Sequence, residues 1–145
     1  MSNYNKNMKR ALSLISRIRE AGNGIIISHL KENGYSELSP SHGDILVVLY
    51  RNDRITMKEI SEKIHRTKAT VTVLVDKLEK IGLVRREKSS YDSRNTYILL
   101  TDKGLLLEPL FNKISDELNS ALYKNFSDDE AKTLDLLLKK MANNI

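Results

Sequence analysis

The stretch that decides the fold is residues 56–82, which read TMKEISEKIHRTKATVTVLVDKLEKIG. Thr56 and Glu59 form a capping box at its start, because each side chain can accept the other residue's backbone N–H. This box predicts a short helix over 57–64. A brief connection then leads to a second helix, predicted over 68–81. The stretch therefore predicts two short helices joined by a tight turn.

The second of these helices has two chemically different sides. Thr67 is its predicted N-cap, and Gly82 is its predicted end. The apolar side, which we expect to be buried, consists of Val71, Leu74, Val75 and Leu78. The other side carries Lys68, Thr70, Thr72 and Val73. The cation and hydroxyls on this side are short enough to reach base edges or phosphates.

A β-hairpin is predicted directly after the second helix. Residues 83–86 and 96–100 are β-prone, and the polar, turn-rich segment 87–95 lies between them. The cations of the hairpin are Arg85, Arg86, Lys88 and Arg94. Because adjacent strand residues point to opposite faces, we expect only one of Arg85 and Arg86 to face a partner.

Helices are also predicted before this region. An amphipathic helix starting at about residue 4 is expected to be interrupted at Gly22 and Gly24 and to continue to near residue 32. Ser39 is the predicted N-cap of the next helix, which ends before Asn52.

Two further helices are predicted after the hairpin. Thr101 is expected to cap the first, which Pro109 bends or shortens, and Ser127 with Glu130 forms a capping box for the second. Their apolar stripes are positions 107, 110, 111, 114, 118 and 121, then Leu134, Leu137, Leu138 and Met141. These stripes could be ordinary core of one chain. However, a lobe that is complete by Gly104 leaves them little to bury against, so they predict a core shared by two chains.

The composition is that of one globular domain. The chain has 145 residues, of which 40% are hydrophobic and 30% charged. The absence of cysteine excludes disulfides, thiolate zinc sites and iron–sulfur ligation. No apolar run approaches the length of a bilayer span, and the N-terminus lacks a signal-peptide pattern. We therefore expect a cytoplasmic protein that does not enter a membrane.

Positive charge is concentrated in the middle of the chain. The net charge is +5, and residues 54–94 contain 11 lysines and arginines against 6 acidic residues. The flanking counts, 7 against 5 over 1–53 and 6 against 8 over 95–145, cancel each other. A basic centre favours an anionic partner, with nucleic acid as the leading candidate. The alternative is that these cations only solvate exposed helix faces.

Two short helices, a tight turn and a hairpin in this order make a winged helix-turn-helix. The second helix of such a unit can enter the major groove of DNA, while the hairpin tip reaches phosphates or the adjacent minor groove. An arginine at the tip suits a narrow A·T-rich minor groove, where the negative potential is strongest. The predicted fold class is mainly α with a small β component.

Several ordered motifs resemble the MarR family of transcriptional regulators. They are MKEISEKI at 57–64, TKATVT at 67–72, LVDKLEKIGLV at 74–84, DSR at 92–94 and LTDKG at 100–104. The order of the flanking helices extends the resemblance over the whole chain. No single motif is decisive, but the ordered set with matched spacing is a strong signal.

The resemblance implies one MarR-like domain over residues 1–145, with a winged-helix DNA-binding lobe at 35–104 and dimerisation helices at 1–34 and 105–145. It further implies a homodimer that binds a pseudo-palindromic operator on double-stranded DNA. Members of the family usually repress, and a small, often aromatic effector in a cleft between the dimer helices and the lobe releases many of them.

The DNA-binding residues that the resemblance implies lie on the recognition helix and the wing. On the recognition helix they are Thr67, Lys68, Thr70, Thr72 and Val73. On the wing they are Arg86, Lys88, Asp92 and Arg94. Arg94 would enter the minor groove, and Asp92 would orient it by a charge-assisted hydrogen bond. Two residues depart from the family pattern: His65 stands where glycine is common, and Val73 where arginine is common.

No catalytic site, metal site or cofactor is predicted. The chain has no glycine loop with phosphate-binding spacing and no histidine paired with a nucleophile at a recognisable motif. For His29, His42 and His65, only carboxylates such as Glu20, Glu37 or Asp44 could complete a zinc site, so surface or capping roles are favoured. Two alternatives to an effector-responsive regulator stay open: a constitutive DNA binder and a winged helix that binds another protein.

Overall fold

The computed structural model describes residues 3–91 and 94–145 of the chain. Within these residues the chain forms seven helices and one three-stranded antiparallel sheet with the order β1-β3-β2. The elements are α1 (Asn3–Glu32), α2 (Pro40–Tyr50), β1 (Ile55–Thr56), α3 (Met57–Ile64), α4 (Lys68–Lys80), β2 (Val84–Lys88), β3 (Thr96–Leu100), α5 (Asp102–Leu106), α6 (Glu108–Leu122) and α7 (Asp128–Ala142). None of the helices so described combines the length and apolar character that a membrane span requires.

The helix boundaries predicted from capping residues are confirmed. The Thr56 hydroxyl accepts the Glu59 N–H at 3.1 Å, and the Glu59 carboxylate accepts the Thr56 N–H at 3.1 Å. Ser127 and Glu130 make the same exchange at the start of α7. At the end of α3, His65 adopts a left-handed backbone with φ 55°. This conformation, which glycine adopts more readily, produces the tight turn between α3 and α4.

The structure corrects the prediction for the N-terminal helix. The interruption predicted at Gly22 and Gly24 does not occur, because α1 runs unbroken from Asn3 to Glu32. Gly22 is buried against α6, and a Cβ built there would lie 3.6 Å from Leu118 Cδ2. Tertiary packing of this kind overrides the low helix propensity of glycine.

Two other elements refine the predicted pattern. Pro109 acts as predicted on the helix after Thr101, dividing it into α5 and α6 with the proline in the first turn of α6. Strand β1 is an element that the sequence did not predict, and it pairs Ile55 with Ile98 and Thr56 with Tyr97.

The hydrophobic core lies where α2, α3 and α4 meet the sheet and the inner faces of α1 and α6. Its fully buried members include Leu30, Ile45, Leu46, Ile60, Val71, Val75, Leu78, Leu83 and Ile98. Leu107, Phe111 and Ile114 belong to the same core. The prediction that the whole first C-terminal stripe is shared between chains is therefore wrong for these three positions, which pack within one chain.

The start of α5 packs against the segment that directly follows α4. The Thr101 hydroxyl and N–H donate to the carbonyls of Gly82 and Leu83 at 2.5 and 3.1 Å. Lys103 Nζ donates to the carbonyl of Ile81 at 2.9 Å. These bonds satisfy the three consecutive carbonyls of residues 81–83, directly after α4, and hold the end of the hairpin against this segment.

Gly104 makes this closure sterically tight. A Cβ at this position would lie 2.2 Å from the Leu83 carbonyl oxygen and 3.1 Å from Leu100 Cδ2. On the other side, the Tyr50 hydroxyl donates to the Gly104 carbonyl at 2.8 Å. Burial raises the pKa of Tyr50, and the nearby Glu108 carboxylate adds to the effect. Tyr50 therefore stays a neutral donor that holds α5 against α2.

Candidate nucleic-acid interface

Helix α4 presents a polar outer side, as the sequence predicted. Val71, Val75 and Leu78 are buried, whereas Leu74, which was expected to be buried with them, is half-buried. The residues on the other side are Lys68 and Thr70, both exposed, Thr72, which is half-buried, and Val73, which is 68% exposed. This side of α4 therefore combines one cation, two hydroxyls and one exposed apolar side chain.

Hydrogen bonds within α4 define what its hydroxyls can offer to a ligand. The Thr67 hydroxyl accepts the Thr70 N–H at 3.2 Å and lies 3.0 Å from the Thr70 hydroxyl, so Thr67 acts as the predicted N-cap. The Thr72 hydroxyl donates to the Lys68 carbonyl at 2.9 Å. Because that proton is used inside the helix, Thr72 can offer only its oxygen lone pairs outward.

One face of the hairpin carries a cluster of charges and an aromatic ring. Arg85 and Arg54 lie 3.4 and 3.6 Å from the two carboxylate oxygens of Glu87. The Arg54 guanidinium also lies 4.0 Å from the centroid of the Tyr97 ring. Sequence reasoning missed Arg54, because its neighbours come from strands that pair only in the folded chain. The sequence does indicate that only one of Arg85 and Arg86 lies on this face, because neighbouring strand residues point to opposite faces.

Arg86 points from the opposite face of β2 toward α4. Its Nη2 lies 2.5 Å from Asp76 Oδ1, and its Nη1 lies 2.8 Å from Glu79 Oε1. The hydrogen bond to Asp76, supported by the charge of Glu79, raises the pKa of Arg86. The structure therefore places Arg86, which was predicted as a DNA-binding residue, in a fork that joins β2 to α4.

The outer end of the wing carries the remaining predicted residues. Lys88 and Arg94 are both exposed. Tyr91, which lies between them in the sequence and was not among the predicted site residues, is 99% exposed. Asp92, the predicted partner of Arg94, lies outside the described residues.

Comparison with known proteins identifies the family. A model of the MarR family matches residues 38–96. The HTH-type transcriptional regulator MgrA of Staphylococcus aureus is 32% identical over 97 residues, which cover 67% of this chain and 65% of MgrA. SarZ, an HTH-type transcriptional regulator of Staphylococcus haemolyticus, is 30% identical over 102 residues, covering 69% of this chain and 67% of SarZ. The chain belongs to the MarR family.

The MarR-family fold extends beyond the matched sequence. MepR of S. aureus, in the crystal structure of its DNA complex, is 27% identical, with a TM-score of 0.83. The superposition covers 92% of this chain and 96% of MepR. By sequence, in contrast, the chain spans 65% of the length of MgrA. The similarity in structure therefore extends beyond residues 38–96, which the family model matches, into the helices on either side of them.

A cleft of about 460 Å³ lies between α1, the start of α2 and α6 of this MarR-family chain. Its lining includes Ile18, Arg19, Ile26, Asp44, Arg66, Leu118 and Leu122. The walls remove part of the water around Asp44 and raise its pKa, although Arg66 and Arg19 act in the opposite direction. The cleft therefore combines apolar walls with two guanidinium groups and one carboxylate.

His42 has the local capping role that the sequence suggested. Its Nδ1 accepts the Ser39 N–H at 2.9 Å and lies 2.9 Å from the Ser39 hydroxyl. Burial, and secondarily the charge of Lys77, lowers the pKa of His42 from its ordinary value of 6.5. Nδ1 can accept a hydrogen bond only in the neutral ring, so the cap at the start of α2 requires unprotonated His42.

We expect stability to fall at acid pH through His42. A lowered folded pKa means that the contribution of neutral His42 is complete above about 6.5, its unfolded value, and is lost as the pH falls through the folded pKa below it. Urea unfolding at pH 8 and pH 5 should show the loss. His42→Gln keeps an acceptor but does not titrate, so the loss should be smaller in this variant. An equal loss in both proteins would contradict a titrating cap.

Proposed function

We propose that the protein is a cytoplasmic, sequence-specific DNA-binding transcriptional regulator that acts as a homodimer on a pseudo-palindromic operator. The observation that carries this proposal is the exposed side of α4, where a cation, hydroxyls and a solvent-facing valine stand beside a basic hairpin. Residues 35–104 form the DNA-binding lobe, and 1–34 with 105–145 form the dimerisation helices. The MepR–DNA complex, which shares this fold, supports the placement of α4 in a major groove.

The recognition helix reads bases through a small set of side chains. Lys68 binds phosphate or a guanine edge, and Thr70 contacts phosphate or a base edge from the first turn of α4. Thr72 offers an acceptor, which selects amino groups such as those of adenine or cytosine. Val73, which is 68% exposed, contacts a thymine methyl, because the methyl is the apolar group that the major groove offers. Thr67 contributes by capping α4 and so aiming its N-terminus at the duplex.

The wing contributes charge and shape readout. Arg94 enters the minor groove, where A·T-rich sequence narrows the groove and strengthens its negative potential. Asp92 orients Arg94, and Lys88 binds the phosphate backbone beside it. Arg86 lies at the base of the wing and contacts α4. These contacts define its contribution to DNA binding.

Dimerisation follows from helices that a single chain leaves uncovered. None of the described residues of α7, 128–142, is buried. Leu137, Leu138 and Met141 of its apolar stripe are 57%, 41% and 46% exposed. A helix of this length is only marginally stable in water without a packed face, so α7 needs a partner surface. A second copy supplies it, together with the exposed apolar residues of α1.

An effector regulates DNA binding from the cleft between α1, α2 and α6. Arg19 and Arg66 favour an anionic group, and the apolar walls favour a small aromatic body. Such a ligand changes the spacing of the two recognition helices, which misaligns one half-site and releases the operator. In this proposal the bound dimer blocks transcription, so that release by the effector ends repression. In a constitutive DNA binder, by contrast, a ligand in this cleft would not change the affinity for DNA.

The decisive experiment is a titration of the purified protein with pooled genomic duplexes over a series of salt concentrations. Pseudo-palindromic fragments should be enriched, and each neutralised phosphate should contribute about −0.9 to the log–log salt slope. Arg94→Ala should weaken specific binding at least tenfold, within the range of about 1–3 kcal/mol for a specific contact. Lys124→Ala, which removes the same charge from the C-terminal arm, should change little.

Other outcomes of this titration separate the alternatives. Steep salt dependence without selection would indicate general DNA affinity and contradict operator recognition. No binding at low salt would favour a winged helix that binds another protein. A screen of phenolic acids by thermal shift, followed by DNA titration with any ligand found, separates an effector-responsive regulator from a constitutive one.

A further inference from the structure

Arg86 joins two elements that both face DNA in the proposed function. It lies on β2, in the wing, and both of its partners lie on α4, the recognition helix. Its two Nη atoms are taken by different carboxylates, Asp76 at 2.5 Å and Glu79 at 2.8 Å. Asp76 and Glu79 are three positions apart, so one guanidinium spans adjacent points on the same helix face.

This geometry is poorly suited to a phosphate contact by Arg86. The side chain is 31% exposed, and both Nη groups already donate to carboxylates. A phosphate would have to compete with two negative charges that are themselves close to the duplex. The same fork is well suited to orientation, because a planar guanidinium donates along fixed directions and a lysine does not.

The contacts of Arg86 with Asp76 and Glu79 contribute more to the relative orientation of β2 and α4 than to the stability of the fold. Ion pairs between exposed groups contribute about 0–1 kcal/mol to folding. The carboxylates are 58% and 41% exposed, which places this cluster in that class. Sequence-specific binding, however, requires the recognition helix and the wing to meet two grooves at the same time, and small errors in their relative angle remove contacts.

We propose that Arg86 is a positioning residue, which sets the angle of the wing against the recognition helix through Asp76 and Glu79. This inference rests on the proposed function and replaces the direct DNA contact that the sequence predicted for Arg86. It makes two acidic residues necessary for binding a polyanion. Charge alone gives the opposite sign, because removal of an acidic residue near DNA strengthens binding.

The test measures the affinity of Asp76→Asn, Glu79→Gln and Arg86→Lys for an operator duplex and for a scrambled duplex over a salt series. We expect each variant to lose about tenfold in operator affinity, in the range of couplings between contacting groups. Binding to the scrambled duplex should be unchanged or stronger. The salt slope on the operator should stay at the wild-type value, because no phosphate contact is removed. Asp76→Asn combined with Arg86→Lys should lose little more than either single variant.

Glu62→Gln is the matched control, because it removes the same charge from an exposed position on α3. It should leave operator affinity unchanged or slightly raised. Urea unfolding of every variant separates a loss of positioning from a loss of fold, and the conservative Arg86→Lys retains charge if Asp76→Asn fails to fold. Stronger operator binding by Asp76→Asn, or full retention by Arg86→Lys, would overturn the proposal. Failure of the wild type to select any duplex would instead contradict the proposed function, and the positioning role with it.

Discussion

Replacing Gly104 with alanine is expected to destabilise the fold by about 3 kcal/mol, the upper end of the cost of overpacking. The added Cβ would lie 2.2 Å from the Leu83 carbonyl oxygen. That oxygen cannot move away freely, because it belongs to the backbone and accepts the Thr101 N–H at 3.1 Å. Relief therefore requires α5 to withdraw from α4, which breaks the closure between them.

Thermal and urea unfolding of Gly104→Ala would measure this cost. For a chain of this size the melting temperature should fall by roughly 6–12 °C. Gly24→Ala is the matched control: Gly24 lies within α1, and a Cβ there meets no atom within 4 Å. It should raise stability by about 0.5–1 kcal/mol, because alanine is the better helix former. An unfolding midpoint of Gly104→Ala equal to the wild-type value would show that α5 approaches Leu83 less closely than described.

Leu138→Glu is expected to convert the proposed dimer into a monomer and to lower affinity for the proposed operator about 100-fold or more, because each lobe then binds without its tethered partner. Leu138 lies in the α7 stripe and is 41% exposed in the single chain. Sedimentation or light scattering gives the oligomeric state, and the operator titration gives the affinity. A carboxylate at this position would be buried without a partner in a shared core.

The same substitution on the other side of α7 provides the control. Leu136 is 67% exposed and lies outside the stripe formed by Leu134, Leu137, Leu138 and Met141. Leu136→Glu should keep both the dimer and the operator affinity. Dissociation by Leu136→Glu with a stable Leu138→Glu dimer would place the interface on the opposite face of α7.

Local chemistry explains what the sequence could predict. Capping boxes act within four residues, so Thr56 with Glu59 and Ser127 with Glu130 revealed where α3 and α7 begin. The family motifs then placed these helices in one known arrangement. Strand β1 was missed because its two residues are defined only by pairing with Ile98 and Tyr97, about 40 positions later along the chain.

The candidate site shows the same division. The outer face of α4 follows from helical periodicity, so the sequence alone predicts it. The role of Arg86 could not be predicted in this way. Strand alternation indicates that Arg85 and Arg86 point to opposite faces, but it does not indicate which carboxylates lie near each face. The steric role of Gly104 could not be predicted for a related reason. A close approach between two backbone segments leaves no pattern in either segment beyond the glycine itself.

The unbroken α1 gives the protein a length scale. Its 30 residues extend for about 45 Å, whereas one turn of duplex measures about 34 Å. In the proposed dimer, a rod of this size sets how far apart the half-sites must lie. A flexible linker could follow spacers of different lengths, but a rigid helix cannot. An operator with about five extra base pairs between its half-sites, half a turn, would therefore be rejected even if every contacted base were correct.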